Sequence, residues 1–330
     1  MQQHSSVNEH LWPHRTSLPY CLLVKFLPLA PHGSTPLRVL TIAGTDSGGG
    51  AGIQADSRTM ALCGVHACVA VAAVTVQNSV GVSGFHEIPP TIVADQVRSV
   101  VGDIGVGAAK TGMLASTAII EAVTAVCTDV GIGRDQPVPL VVDPVCASMH
   151  GDPLLHDEAL DAIRHTLFPI ATLVTPNLDE VRLITGIDVV DDATAHHAAQ
   201  ALHALGAQWA LVKGGHLRTS ETSTDILFDG DRFLEFTSPR IDTGNDHGGG
   251  DTLAAAIACA LAHGYSVPEA VAFGKEWVTR CLAASYDLGA GHGPVSPFWR
   301  LNQSDDLEVL GDTAELGREE PTPIRPGGQP

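Results

Sequence analysis

From Leu37 to about residue 300, short apolar runs alternate with longer segments whose apolar residues recur every three or four positions. The short runs read as buried strands and the longer segments as amphipathic helices. LRVLTIAG ends at Gly44 as a first strand, and the Gly-rich turn TDSGGGAG leads into a helix over roughly 53–62, closed by Gly64. CVAVAAVTVQN reads as the next strand, and a helix follows over 92–103. AAKTGML holds a short strand, 116–130 is helical with Ser116 as its N-cap, and VPLVVDPV is a strand ending at Asp143-Pro144. A helix over 157–167, the strand ATLVTPN, a helix over 192–205 and the strand WALVKGG come next. TDILFDGDRFLEFTSPRI is a β-hairpin turning at Asp229-Gly230, and helices over 252–262 and 267–284 complete the series. Nearly uncharged strands alternating with helices are the pattern of a mostly parallel sheet covered on both faces.

The ends differ from this body. Residues 1–36 are expected to form a poorly ordered extension, or to reflect a start codon set too early. Within them the apolar stretch LPYCLLVKFLPLAP is short, is interrupted by Lys25 and lacks an A-x-A-like site, so it is a poor secretory signal. The folded body is set at 37–303, and the Pro/Gly-rich polar tail at 304–330 is expected to be disordered.

Charge narrows the partners. Lys and Arg total 18 against 37 Asp and Glu, a formal net charge of −19. Such a chain repels nucleic acid and anionic membranes, so a small-molecule partner is expected. An anionic substrate must then be held locally by backbone N–H groups, a few lysines and a metal ion. The seven cysteines include no CxxC pair, and several lie in apolar runs, as expected of buried free thiols in a reducing compartment such as the cytoplasm.

Two glycine clusters carry the candidate chemistry. No GxxxxGK[ST] occurs, which excludes a P-loop, and Gly48 to Gly52 does not complete GxGxxG because the third glycine position is Ile53. That cluster reads equally as a tight strand-to-helix turn or as a backbone cradle for a ligand. The second cluster, DTGNDHGGGDTLAAA, places Gly248, Gly249 and Gly250 at the start of an Ala-rich helix. Their N–H groups and the helix dipole can stabilise charge on a transferring phosphoryl group. Asp251 beside them can act as a general base or simply as an N-cap. His247, a lone histidine before the glycines, reads as a loop hydrogen-bonding residue.

Nine segments lie in order along the chain: TIAGTDSGGGAGIQAD (41–56), VTVQNSVGV (74–82), AAKTGML (108–114), VVDPV (141–145), GDPLL (151–155), TPNLDE (175–180), VKGGHL (212–217), NDHGGGDTL (245–253) and GHGPV (291–295). On these the sequence resembles the hydroxymethylpyrimidine/phosphomethylpyrimidine kinases of thiamine biosynthesis, within the ribokinase-like superfamily. The resemblance implies a three-layer α/β/α fold, ATP and Mg²⁺ as cofactors, and a homodimer. It also implies transfer of a phosphoryl group to 4-amino-5-hydroxymethyl-2-methylpyrimidine and then to its monophosphate. By the same resemblance Gln77 hydrogen-bonds the aminopyrimidine ring, Gly44 and Asp46 belong to the substrate pocket, and Met113 and Val145 wall it. Asp143 and Glu180 orient Mg²⁺, and Asn177, Lys213, Thr243 and Lys275 serve the nucleotide. Read without the family, Gln77 is a strand-end residue bonding backbone, Met113 and Val145 are core, Asp143 is a turn residue and Glu180 a first-turn helix acid.

The chain departs from the family at two places. Where these kinases usually read GTGC, this chain reads GGGD, so Asp251 returns to the broader sugar-kinase pattern and sets a charge beside the acceptor. CASMH (146–150) replaces the small polar loop expected before GDPLL. Pyridoxal kinase, a sugar kinase, a non-catalytic ligand-binding domain of the same fold and a nicotinamide enzyme are the alternatives.

Overall fold

The computed structural model describes residues 26–146, 157–216 and 221–302. The GDPLL segment, most of CASMH, most of the N-terminal extension and the tail after Asn302 lie outside the described residues. Within the expected extension, Leu27 is buried and Phe26 stacks on Trp299 at 5.9 Å, so the packed chain reaches back before Leu37.

Ten strands are described: β1 (Arg38–Ala43), β2 (His66–Val71), β3 (Ala73–Asn78), β4 (Gly81–Glu87), β5 (Ala108–Thr111), β6 (Leu140–Val142), β7 (Leu173–Val174), β8 (Trp209–Val212), β9 (Thr222–Phe228) and β10 (Phe233–Pro239). Eight of them form one sheet in the order β10-β9-β8-β7-β6-β5-β1-β2. Neighbours from β2 through to β8 pair in parallel, while β9 and β10 pair antiparallel at the edge. Parallel strands must be buried on both sides, and the side chains alternate accordingly. Leu40 and Ile42 of β1 face one apolar layer and Val39 the other; Leu140 and Val142 of β6 face against Val141.

One layer is built by α2 (Pro90–Asp103), α3 (Thr117–Asp129), α4 (Asp157–Ala162), α5 (Leu178–Thr185) and α6 (Asp192–Ala204). The opposite layer is built by α1 (Gly52–Leu62), α7 (Gly249–Ala262) and α8 (Val267–Ala283). Helix α7 is buried from Thr252 to Leu261, which its alanines allow by presenting small side chains all round. This is the three-layer α/β/α architecture. Among the described residues no helix is long and apolar enough to cross a membrane.

Three local readings change. CVAVAAVTVQN is two strands, not one: β2 stays in the main sheet, while β3 pairs antiparallel with β4 as a separate hairpin. The run holds no Gly, Pro or charge to mark the break at Ala72, and β4 itself went unread because its side chains are nearly all exposed. Ser116 occupies the N-cap of α3, but its side chain accepts no helix N–H, and its hydroxyl donates to Glu87 Oε2 at 2.7 Å. The N-cap of α7 is Gly248, in the left-handed region at φ 76°, so Asp251 lies inside the first turn and is not the cap. The hairpin at Asp229-Gly230 forms as expected, with Phe233 opposite Phe228.

Candidate active site

Because β1, β5, β6, β7 and β8 run in parallel, their carboxyl ends open along one edge of the sheet, where α/β folds hold their ligands. Gly44 follows β1, Met113 follows β5, Asp143 and Val145 follow β6, Asn177 follows β7 and Lys213 follows β8. Helix α7 points its N-terminus at the same edge. A methyl group at position 250 would lie 3.2 Å from Lys213 Nζ and 3.4 Å from Asp143 Oδ2, so the glycine turn directly faces this cation and carboxylate. First-turn N–H groups of a helix have no intrahelical acceptor; here the Gly249 N–H donates to Asp246 O at 3.1 Å, which holds the turn.

Lys213 Nζ donates to Asp143 Oδ1 at 2.9 Å, and Thr175 donates to the same oxygen at 3.0 Å. Burial works against the Lys213 ammonium, yet Asp143 and Glu180 outweigh it and raise its proton affinity. Glu180 is buried and closes a capping box on α5: Asn177 N–H donates to Glu180 Oε2 at 2.7 Å, and Glu180 N–H to Asn177 Oδ1 at 2.9 Å. Burial pushes the Glu180 carboxyl up to about 7, against the pull of Lys213. Among the described residues no group of three or more His, Cys, Asp or Glu could cage a metal. Two hard carboxylates beside an anion cradle suit an ion that keeps its waters and shares a substrate's phosphates.

Asp251, half-buried, accepts from Lys110 Nζ at 2.9 Å on Oδ1 and from Gly52 N–H at 3.2 Å on Oδ2. Burial alone would raise its carboxyl, but Lys110 and the Gly52 amide hold it below the ordinary carboxylate range. Lys110 was missed from the sequence, although a lysine inside the apolar strand AAKT is a legible signal.

The first glycine turn is built differently. Asp46 is buried and accepts from Gly48 N–H at 2.8 Å and from Gly50 and Ala51 N–H at 2.9 Å. His247 Nε2 lies 2.8 Å from Asp46 Oδ2, tying this turn to the second. Asp46 is thus committed to its own loop. Gly44 borders Met113, whose Sδ would lie 3.6 Å from a methyl group there. Met113 and Val145 are half-buried.

Gln77 sits on the β3–β4 hairpin, opposite Val82, and its N–H donates to Ser47 Oγ of the first glycine turn at 3.4 Å. The hairpin tip is clamped by the GHGPV loop: Gly291 N–H donates to Ser79 Oγ at 3.2 Å and His292 N–H to Ser79 O at 3.0 Å. Thr243 Oγ1 lies 2.9 Å from Ser285 Oγ and accepts from Asn245 N–H at 3.0 Å. Lys275 is buried; its Nζ lies 2.9 Å from Asp225 Oδ2 and donates to Ser223 at 3.1 Å, while Asp225 Oδ1 holds Gly214 N–H at 2.9 Å. Lys275 therefore reaches the turn after Lys213 through Asp225. Gly44, Met113, Asp143, Lys213 and Gly248 to Asp251 converge, Gln77 joins through the first glycine turn, and Thr243 and Lys275 stand behind these turns.

The sequence pattern of the family described as Phosphomethylpyrimidine kinase matches residues 46–296. A hydroxymethylpyrimidine/phosphomethylpyrimidine kinase of Mycobacterium leprae is 65% identical over 281 residues, covering 84% of this chain and 99% of the relative. A solved pyridoxal kinase of Staphylococcus aureus, in complex with AMP-PCP and pyridoxal, is 31% identical with a TM-score of 0.72, covering 80% of this chain and 94% of that one. A phosphomethylpyrimidine kinase structure from Clostridium difficile is 35% identical with a TM-score of 0.65, covering 74% of this chain and 98% of that one.

Proposed function

The chain belongs to the phosphomethylpyrimidine kinase family, and on that premise we propose that it phosphorylates 4-amino-5-hydroxymethyl-2-methylpyrimidine and then its monophosphate, with ATP as donor and Asp251 as base. The observation that carries this reading is the convergence of Asp251, the glycine turn, Asp143 and Lys213 at one sheet edge. In the first transfer Asp251 Oδ2 takes the hydroxyl proton of the pyrimidine alcohol; in the second the attacking atom is an oxygen of the monophosphate. The freed oxygen electron pair forms the bond to the γ-phosphorus while the bond to the β–γ bridging oxygen breaks and ADP leaves. N–H groups of Gly250 and Asp251, with Gly248 and Gly249 setting the turn through the Gly249 N–H bond to Asp246 O, stabilise charge on the transferring group. Lys213 adds positive charge beside them, and catalysis is largely positioning and electrostatics.

Asp143 and Glu180 would hold the waters of Mg²⁺, which neutralises phosphate charge when bound. Asn177 keeps its amide N–H groups for nucleotide phosphate, since its Oδ1 caps α5. On the acceptor side Gln77 offers a donor and an acceptor to the aminopyrimidine edge, Gly44 lets the ring approach β1, and Met113 and Val145 give apolar walls. Asp46, Thr243 and Lys275 support this site by holding its turns, given the partners each already has. A homodimer belongs to the same proposal, supported by Val74 and Val76 exposed on β3, and sedimentation checks it.

The pyrimidine acceptor is favoured by the 65% identity to a pyrimidine kinase, whereas the solved structures separate the two readings little, at 35% for a phosphomethylpyrimidine kinase and 31% for a pyridoxal kinase. The test is Asp251→Asn: turnover should fall roughly 10²–10⁴-fold while calorimetry still detects pyrimidine binding. An unchanged rate removes Asp251 as base. The same parent sample should phosphorylate the pyrimidine more efficiently than pyridoxal, and the reverse ranking would reassign the acceptor.

A further inference from the structure

Asp251 is one member of a buried triad. Lys110 Nζ lies 2.9 Å from Asp251 Oδ1 and 2.9 Å from both oxygens of Asp56. The Lys110 and Asp56 side chains are fully buried, and that of Asp251 is 15% exposed. Thr41 donates to Asp56 Oδ2 at 2.6 Å, fixing the far end. A methyl group at Gly112 would sit 3.0 Å from Lys110 Nζ and 3.6 Å from Asp251 Oδ1, so the strand leaves room for this contact by having no side chain there. Burying three ionisable groups is a poor route to stability, since apolar residues of similar volume do as well or better. The arrangement therefore calls for another reason.

We infer that Lys110 and Asp56 are positioning residues for phosphoryl transfer: Lys110 anchors Asp251 through Oδ1, so that Oδ2, which also accepts from Gly52 N–H, turns its second lone pair to the acceptor, and Asp56 balances the ammonium so that Asp251 remains a competent base. The inference rests on Asp251 being the base. A lysine paired with Asp251 alone would hold the carboxylate but weaken its pull on a proton. With both carboxylates ionised the triad carries one excess negative charge. Receipt of the acceptor's proton on Oδ2 brings it to neutrality, and ADP carries the displaced electron pair. Lys213 and His247 also act on Asp251, from the end of β8 and the turn before α7, Asp143 at the end of β6 acts on Lys110, and Asp46 faces His247. These act at longer range than the 2.9 Å contact.

The test uses the full chain with ATP, Mg²⁺ and the pyrimidine alcohol. Asp56→Asn keeps shape and acceptor oxygen but removes the charge. Turnover should fall roughly 10–100-fold with the pyrimidine KM within about threefold of the parent. The acid limb of kcat/KM should move to lower pH, because Lys110 then pulls on Asp251 unopposed. The paired change Lys110→Met with Asp56→Asn removes both charges, which buried sites tolerate better than one. Turnover should again fall at steady KM, but the limb should move to higher pH, since burial then dominates Asp251. Opposite limb shifts are a signature that a purely structural role does not produce. Should the paired variant fail to fold, the limb of Asp56→Asn decides alone. Turnover within twofold of the parent with unmoved limbs, or a loss confined to KM, overturns the inference. Asp251→Asn run alongside separates the cases: if it keeps turnover, the base assignment itself fails; if it is inactive while the others match the parent, only the positioning role fails.

Discussion

The two glycine-rich turns are near copies in sequence, TDSGGGAG and NDHGGGDT, and each opens a helix packed on the same face of the sheet. They differ in what fills the ring of N–H groups. In the first, Asp46 folds back onto the amides of Gly48, Gly50 and Ala51, so the cradle is occupied by the chain's own carboxylate. In the second, the equivalent acid, Asp246, turns its carboxylate to His292 Nδ1 at 3.2 Å, Asp251 follows three residues after the N-cap, and the helix start faces Asp143 and Lys213. An internal carboxylate makes a turn rigid, whereas a helix start without one is available to a phosphoryl group. His247 joins the two, with its ring against Asp46 and its backbone beside Gly248.

The third glycine of each turn breaks this contrast in different ways. At the open turn, Gly250→Ala sets a methyl group 3.2 Å from Lys213 Nζ and 3.4 Å from Asp143 Oδ2, inside a helix that accepts alanine well. Turnover should fall about 100-fold, or roughly 2.7 kcal/mol of barrier, with thermal stability kept. At the filled turn, Gly50→Ala places its methyl 2.3 Å from the His247 ring. Overpacking there should cost roughly 2 kcal/mol of stability, read by chemical denaturation. If Gly250→Ala unfolds the chain while Gly50→Ala spares its stability, the contrast is reversed.

Asp46→Asn sharpens the same point, because an amide NH₂ replaces an oxygen where three backbone donors and His247 converge. A loss of about 1–2 kcal/mol is expected. The smallest effect is in pH. Burial raises the Asp46 carboxyl, but His247 and the Ala51 and Gly48 amides outweigh it and hold it below the ordinary 3.8. Its contribution to stability is present above that value and is lost as pH falls through the lower, folded one. The parent should therefore lose stability in acid more steeply than Asp46→Asn, as measured by denaturation at stepped pH. Asp56 behaves in the opposite sense: burial first, then the Asp251 charge, lifts it to about 7 against Lys110. Its contribution declines as pH rises from about 4 towards 7, and Asp56→Asn should flatten that part of the profile.

What was legible in the sequence was whatever is local or periodic. Buried strands announced themselves as uncharged runs, and the residues just after them, Gly44, Asp143, Asn177 and Lys213, came to one edge because parallel pairing requires it. The break at Ala72 was illegible because both flanking strands are apolar, and β4 because nearly all of its own side chains are exposed. The difference between the glycine turns was hidden for another reason. It depends on Asp46 meeting His247 across 201 positions and on Lys110 meeting Asp251 across 141. Lys275 was placed near the nucleotide by resemblance, and only the structure shows its ammonium held by Asp225.

The grip of Gly291 and His292 on Ser79 has a consequence for synthesis. The β3–β4 hairpin leaves the ribosome early, yet the loop that secures its tip emerges more than 200 residues later. A nascent chain that has already built the sheet edge still lacks the fastening on its Gln77 side. Stalling or proteolysis ahead of Gly291 would leave a folded sheet with an unfastened hairpin.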